Sequence, residues 1–292
     1  MALSIHTNYA ALVTQNSLNK FNAALTTNQQ RLGTGYRINS AADDAAGLQI
    51  ATRLNAQSRG MSVAIRNTND AVSMLQTAEG AFQEVTDILL RMKDLATQSA
   101  NGTNSTDDRT SLQAEYDELG KELANIIKNT KYAGQALFHT TSMTGAGGTF
   151  GTAVSFQIGA AAAETMSLNV KTSLSDLMNK LGSVSSSYTG VATAGTEVAN
   201  GATATITTVD NAIKAVGTLR ANFGATINRL NHTANNLANM KDNTDMASGR
   251  ITDADFALES ANMSKNSMLM QSGISMLKQA GQMPGLVMSL LG

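Results

Sequence analysis

Apolar side chains recur along most of this chain at helical spacing rather than in alternation. Between about Asp43 and Ala100, the residues Ile65, Val72, Leu75, Phe82, Val85, Leu89, Met92 and Leu95 follow one another in steps of three, four or seven. Those steps place all eight on one stripe and predict a single long helix. Ser40, with Asp43 three residues on and Asp44 next, has the form of a capping box at its start, and Asn101-Gly102 marks its end. Ser105 and Asp108 repeat the box and open a second helix to about Lys128. At ~1.5 Å per residue the first helix alone reaches on the order of 85 Å, the dimension of a rod. Helical periodicity returns at Val209, Ile213, Val216, Phe223, Ile227 and Leu230 and continues to about Met246.

The middle of the chain changes character. From about Tyr132 to Val170, glycine-rich stretches flank short alternating segments such as Val154–Ile158, which predicts one or two hairpins. Residues 183–208 carry one charge, Glu197, among Ser, Thr, Ala and Gly, and read as a surface loop or variable segment.

The two ends resemble each other in kind. Leu18, Leu25 and Leu32 repeat at seven with Phe21 between them. Phe256, Met263, Met270 and Leu277 also repeat at seven, with Ile274 filling the second seam position. Sustained sevens favour a coiled-coil seam. Thr252 and Asp255 form a further box, with Ile251 and Phe256 placed as a hydrophobic staple. Two such arms at opposite ends of the sequence pair only if the chain runs out and returns. The expected fold is therefore mainly α: an elongated antiparallel helical bundle or coiled coil with a small β-hairpin region in the middle. Its expected division is a terminal-helix domain of residues 1–40 with 251–292 and a core rod of residues 41–250.

Composition narrows the functions. Charged residues are only 15% of 292 and nearly cancel to a net charge of −1, so no basic field points to nucleic acid. Amides fill the gap, with 26 Asn and 14 Gln, and these can be buried without the desolvation penalty of an ion. The absence of cysteine excludes disulfides, thiolate catalysis and Cys-ligated metals. No segment approaches the ~20 apolar residues of a membrane-spanning helix, and no secretory signal opens the chain, so no membrane insertion is expected.

Catalytic patterns are missing. His6, His139 and His232 stand alone, without HExxH or a second ligand at helical spacing. The Gly145–Gly151 stretch lacks the third glycine of a dinucleotide fingerprint, because Phe150 takes its place. Asp242–Asp245 lacks the glycine and glutamate of a calcium loop. No enzyme, metal or cofactor is expected. What remains is shape: apolar seams at the ends of a thin rod imply partners, and identical rods joined by non-closing contacts give a helical filament.

Several ordered blocks carry a family resemblance. Ile5 to Asn8, Gln15 to Lys20, Arg31-Leu32 through Gly35, and Arg37-Ile38-Asn39-Ser40-Ala41-Ala42-Asp43-Asp44-Ala45-Ala46-Gly47 resemble the N-terminal signature of bacterial flagellin. Ala64 to Asp70, Gln76 to Gly80 and Leu95 to Asn101 continue it. Arg250 to Phe256, Asn262-Met263-Ser264 and Gln279-Ala280 to Leu290-Leu291 match the C-terminal half. The resemblance covers roughly residues 1–138 and 205–292. About 65 residues lie between, which implies a compact, possibly lateral-type, flagellin with little or no outer domain.

The resemblance implies a structural subunit that self-assembles into the flagellar filament, a homo-polymer outside the cell. It implies export without a cleavable signal through the type III apparatus, with an export chaperone, and contact with hook-associated and cap proteins. It also implies recognition by host innate immune receptors. Arg91, Leu95, Gln98 and Glu115 match the family's Toll-like-receptor contacts, while Leu90 departs from them. Met288, Leu290 and Leu291 stand at the positions read by inflammasome receptors, Met288 in place of a leucine. A hook–filament junction protein or a secreted coiled-coil effector is the alternative reading.

Overall fold

A computed structural model describes residues 8–138, 147–189 and 195–291; of residues 201, 283, 284 and 286–291 it describes the backbone alone. The described chain is mainly helical, with α1 (Tyr9–Thr34), α2 (Ala45–Ser99), α3 (Thr106–Asn129), α4 (Lys171–Val184), α5 (Glu197–Thr252) and α6 (Phe256–Leu291). Two antiparallel hairpins, β1 (Lys131–Tyr132) with β2 (Gln135–Ala136) and β3 (Val154–Gln157) with β4 (Thr165–Leu168), lie between α3 and α4. The chain divides into two compact units, residues 1–58 with 242–292 and residues 59–241.

Residues 59–241 contain a continuous apolar core. The predicted α2 stripe is its spine: Leu75, Phe82, Val85, Leu89, Met92 and Leu95 are all buried. Val209, Val216, Phe223 and Leu230 of α5 recur at seven and are buried with them. Phe82 stacks on Phe223 at 5.7 Å and meets Phe138 at 4.6 Å, and Phe150 closes the aromatic cluster against both Phe138 and Phe223. Offset rings at such distances add to the area that burial removes from water. Ion pairs bridge α2 and α5 outside this core, Lys93 to Asp210 at 2.7 Å and Arg220 to Glu79 at 2.8 Å.

Ser105 and Asp108 form the expected capping box: each backbone N–H donates to the other's side chain, and α3 starts one residue later than Ser105. The β1–β2 turn uses Ala133 and Gly134, both at positive φ, the geometry a two-residue hairpin turn demands. In the second hairpin Phe156 faces Met166, and both side chains point into the core.

Residues 183–189 and 195–208 differ from the expected surface loop, and residues 190–194 of that stretch lie outside the described residues. Val184, Ser185, Ser187, Tyr188 and Val198 are buried, and α5 begins at Glu197, twelve residues before the periodicity becomes legible. The reason is a polar one. Gln113 of α3 accepts from the Val198 and Ala199 amides and donates to Asp117 and Glu197. Asp117 accepts from Gly195 N, and Glu197 accepts from Ser186 N at 2.7 Å. Side chains of another helix thus satisfy the orphan amides at the start of α5. Burial works to raise the Glu197 pKa, but hydrogen bonds from the Ser186 backbone and from Gln113 outweigh it and hold the carboxyl below its ordinary value. Helix α4, whose Leu174, Leu177, Met178 and Leu181 fill the core, has no counterpart among the sequence expectations.

Two further caps differ. Ser40 and Asp43 close a turn, in which Asp43 accepts from the Asn39 and Ser40 amides, and α2 is capped instead by Asp44 through Gly47 N. Thr252 does not pair with Asp255: its hydroxyl donates back to Ser248 within α5, while Asp255 alone caps α6 through Ala257 N and Leu258 N. His6, His139 and the Gly145–Ala146 end of the glycine stretch lie outside the described residues.

Candidate assembly interface

Helices α1 and α6 pair antiparallel. Asn8 Nδ2 donates to Ala280 O at 2.7 Å near one end of the pair, and Arg31 Nη1 donates to Glu259 Oε1 at 3.0 Å near the other. Past Thr34 the chain turns at Gly35, whose φ of +76° only glycine adopts freely, and Gly35 O accepts from Ala254 N. Arg37 fixes the same corner, its amide on Thr252 O and its guanidinium on Ile251 O. The two turns are thus tied to each other by backbone hydrogen bonds.

Leu18, Phe21, Leu25 and Leu32 are half-buried along one face, and Met263, Met270 and Leu277 of α6 are half-buried in register with them. Phe256 and Ile274 do not join them, being 61% and 54% exposed. Phe256 keeps the heptad phase, but it is the first residue of α6 and lies beyond the end of α1, so nothing is left to cover it. Ile274 is one residue out of phase with the true seam position, Gly273.

Sequence reasoning missed the other seam residues. Glu259, Asn266, Gly273 and Ala280 recur at seven and interleave with Met263, Met270 and Leu277. Glu259 and Asn28 are buried, and the Asn28 amide, oriented to suit its neighbours, donates to Glu259 Oε2 and accepts from Asn266 Nδ2, each at 3.1 Å. Gly273 lets Leu18 approach, since a Cβ there would sit 2.8 Å from Leu18 Cδ2. The signal was the heptad phase itself, hidden because one seam position in each repeat holds a polar or small residue.

What this pair leaves open is as informative as what it closes. Twelve of the fifteen large apolar side chains exposed among the described residues belong to residues 1–58 and 242–292. They include Tyr9, Leu12 and Val13 on α1 and Leu258, Met268 and Met276 on α6. Among the described residues of 59–241, only Val63, Leu90 and Met240 belong to this class. Monomeric proteins rarely crowd exposed large apolar side chains into one part of the chain's surface in this way.

The expected receptor contacts lie elsewhere, on α2 and α3. Arg91 and Glu115 are exposed and paired, with Arg91 Nε and Nη2 donating to one carboxylate oxygen at 2.9 and 2.6 Å. Gln98 is exposed. Leu95 is 1% exposed and belongs to the core, which corrects its expected part as a surface anchor. The apolar side chain on that surface is Leu90. The side chains of Met288, Leu290 and Leu291 lie outside the described residues. Among the described residues no three His, Cys, Asp or Glu side chains are grouped to hold a metal, and no helix is long and apolar enough to cross a membrane.

Comparison with known proteins places the chain. The family model of the bacterial flagellin N-terminal helical region matches residues 5–143, and that of the C-terminal helical region matches residues 206–291. Flagellin C of Vibrio cholerae and polar flagellin C of Vibrio parahaemolyticus are each 34% identical over the whole of both chains. Flagellin A of Vibrio anguillarum is 35% identical, again over the whole of both. Among solved structures, a putative flagellar hook-associated protein from Vibrio parahaemolyticus shares the fold, with a TM-score of 0.57 at 16% identity, over 72% of this chain and all of that one. The Bacillus cereus flagellin crystal structure is 35% identical, covering 59% of this chain and 88% of its own, with a TM-score of 0.46. Matching helical regions at both ends and a length of 292 residues without a large variable insert lead to one conclusion: the chain belongs to the bacterial flagellin family, in a compact form.

Proposed function

We propose that this flagellin, a structural subunit of the flagellar filament, enters the polymer through the paired helices α1 and α6, with neighbouring copies covering the apolar side chains that the pair leaves open. The observation that carries this reading is the uneven surface: among the described residues, exposed large apolar side chains crowd residues 1–58 and 242–292 and are scarce on residues 59–241. Burying each such side chain in a neighbour contributes about 1.5–3 kcal/mol, so a handful suffice to favour association. The seam residues Leu18, Phe21, Leu25, Leu32, Met263, Met270 and Leu277 hold the arm together within one subunit. Phe256 and Ile274, exposed there, face the next.

Substituting Phe256→Ser and Ile274→Ser together tests this. The variant is expected to keep the helicity and melting temperature of the parent but to form no filaments by electron microscopy. Normal filaments from it would place the interface elsewhere.

The finer partners follow from family membership and are proposed with it: a type III export apparatus and chaperone before assembly, hook-associated and cap proteins at the filament ends, and an extracellular address reached without a cleavable signal. Host receptor recognition is proposed on the Arg91, Glu115 and Gln98 surface, where the side chains are accessible. Its apolar contact is Leu90 rather than Leu95.

A further inference from the structure

We propose that Met268 and Met276 are an oxidant-sensitive modification site, at which conversion of the thioethers to sulfoxides withholds the subunit from polymerisation. The proposal rests on the assembly reading above and adds a chemical control to the same pair of helices.

The methionines of the described residues fall into distinct environments. Met61, Met92 and Met178 are at most 1% exposed, inside the core of residues 59–241. Met268 and Met276 are 69% and 64% exposed, two helical turns apart on the side of α6 that α1 leaves open. A thioether reacts with a hydroperoxide when its sulfur can be reached, and burial protects it. A sulfur lone pair attacks the terminal peroxide oxygen, the O–O bond breaks, and the oxygen stays on sulfur. The sulfur loses two electrons, and the departing oxygen of hydrogen peroxide takes up the proton of the transferred oxygen and leaves as water.

The product changes the face in kind. A flexible apolar side chain, suited to packing against a varied partner surface, becomes a strong dipole with a hydrogen-bond acceptor. Lys265 and Gln271 stand three residues from Met268 and Gln279 three from Met276, so an exposed sulfoxide on the free subunit has donors and water beside it. A sulfoxide buried there against apolar side chains of a second copy carries a polar-burial penalty that the thioether does not. The fold of the single subunit is untouched, since neither side chain packs in its core.

The experiment treats full-length subunits and assembled filaments with hydrogen peroxide, maps the sulfoxides by peptide mass spectrometry, and assays polymerisation. In free subunits Met268 and Met276 are expected to gain oxygen well before Met61, Met92 and Met178, and in filaments both are expected to be protected. Oxidised subunits are expected to need a roughly tenfold higher concentration to polymerise, equivalent to ~1.4 kcal/mol, with their thermal melt unchanged. Methionine sulfoxide reductase with a dithiol restores assembly, and Met268→Leu/Met276→Leu subunits assemble equally before and after peroxide. Unchanged polymerisation of subunits oxidised at both positions would overturn the proposal. So would a double-leucine variant that peroxide inhibits as strongly as the parent. Equal oxidation of Met268 and Met276 in filaments and free subunits would instead overturn the assembly reading itself.

Discussion

The Arg31 guanidinium lies 3.0 Å from the Glu259 carboxylate across the α1–α6 seam, although 228 residues separate them in sequence. The Glu259 side chain is only 8% exposed, and Asn28 donates to its second oxygen. A hydrogen-bonded charge set in an apolar seam fixes register, because sliding one helix would leave the carboxylate buried and unpaired. Removing one partner is accordingly worse than removing both. Glu259→Ala is expected to destabilise the α1–α6 pair by about 1–3 kcal/mol, while Arg31→Leu/Glu259→Leu recovers most of that loss. Thermal melts followed by circular dichroism check the order; a double variant no better than the single would refute it.

The capping cluster at the start of α5 gives a pH dependence of known sign. The folded-state pKa of Glu197 is lowered, so its stabilisation is present above the unfolded value near 4.5 and is lost as pH falls through the folded value. Asp43 and Asp108 are lowered as well, by hydrogen bonds from Ser40 and from Ser105 respectively, and act in the same direction. Melting temperatures between pH 7 and pH 3 for the parent and for Glu197→Gln isolate the one group. The parent is expected to lose more stability on acidification than the variant, and parallel curves would show that Glu197 contributes nothing.

Two phenylalanines of opposite exposure offer a control on the core. Phe82 is fully buried against two other rings, Phe138 and Phe223, and Phe82→Ala is expected to cost roughly 3–5 kcal/mol. Phe256→Ala, at an exposed position, is expected to stay within about 0.5 kcal/mol of the parent. Denaturant titration of both variants measures the contrast.

Gly148 has φ +61°, and a Cβ there would meet Ala136 O at 2.6 Å and Leu137 O at 2.8 Å. Backbone oxygens cannot rotate aside as a side-chain end can. Gly148→Ala should therefore destabilise the fold by roughly 1–3 kcal/mol, through strain and loss of the Phe150 N to Leu137 O hydrogen bond, and lower the melting temperature. An unchanged melt would show that the segment re-seats at no cost.

For receptor recognition, Arg91→Ala and Leu90→Gln are expected to change signalling in a reporter-cell assay while leaving the melt nearly intact. Leu95→Ala is expected to lose about 2–5 kcal/mol of stability, as a buried leucine does. Signalling that falls in Leu95→Ala with no change in stability would return that residue to the surface role its resemblance suggested.

The sequence by itself determined the long helices, because a stripe at steps of three, four and seven is a one-dimensional property that any core-facing helix must show. Leu75 to Leu95 and Val209 to Leu230 were legible for that reason, and so were the Ser105–Asp108 cap and both hairpins, whose signals are local. The family was legible too, from ordered blocks at both ends. Tertiary structure alone decided the rest. It made the described parts of the weakly patterned stretch 183–208 mostly helical, with Val184, Tyr188 and Val198 buried, since Gln113 and Asp117 of α3 supply the start of α5 with partners that lie up to 86 residues away. It chose Glu259, Asn266 and Gly273 over Phe256 and Ile274 for the seam, because a seam is set by what stands opposite and not by hydrophobicity along one strand of sequence.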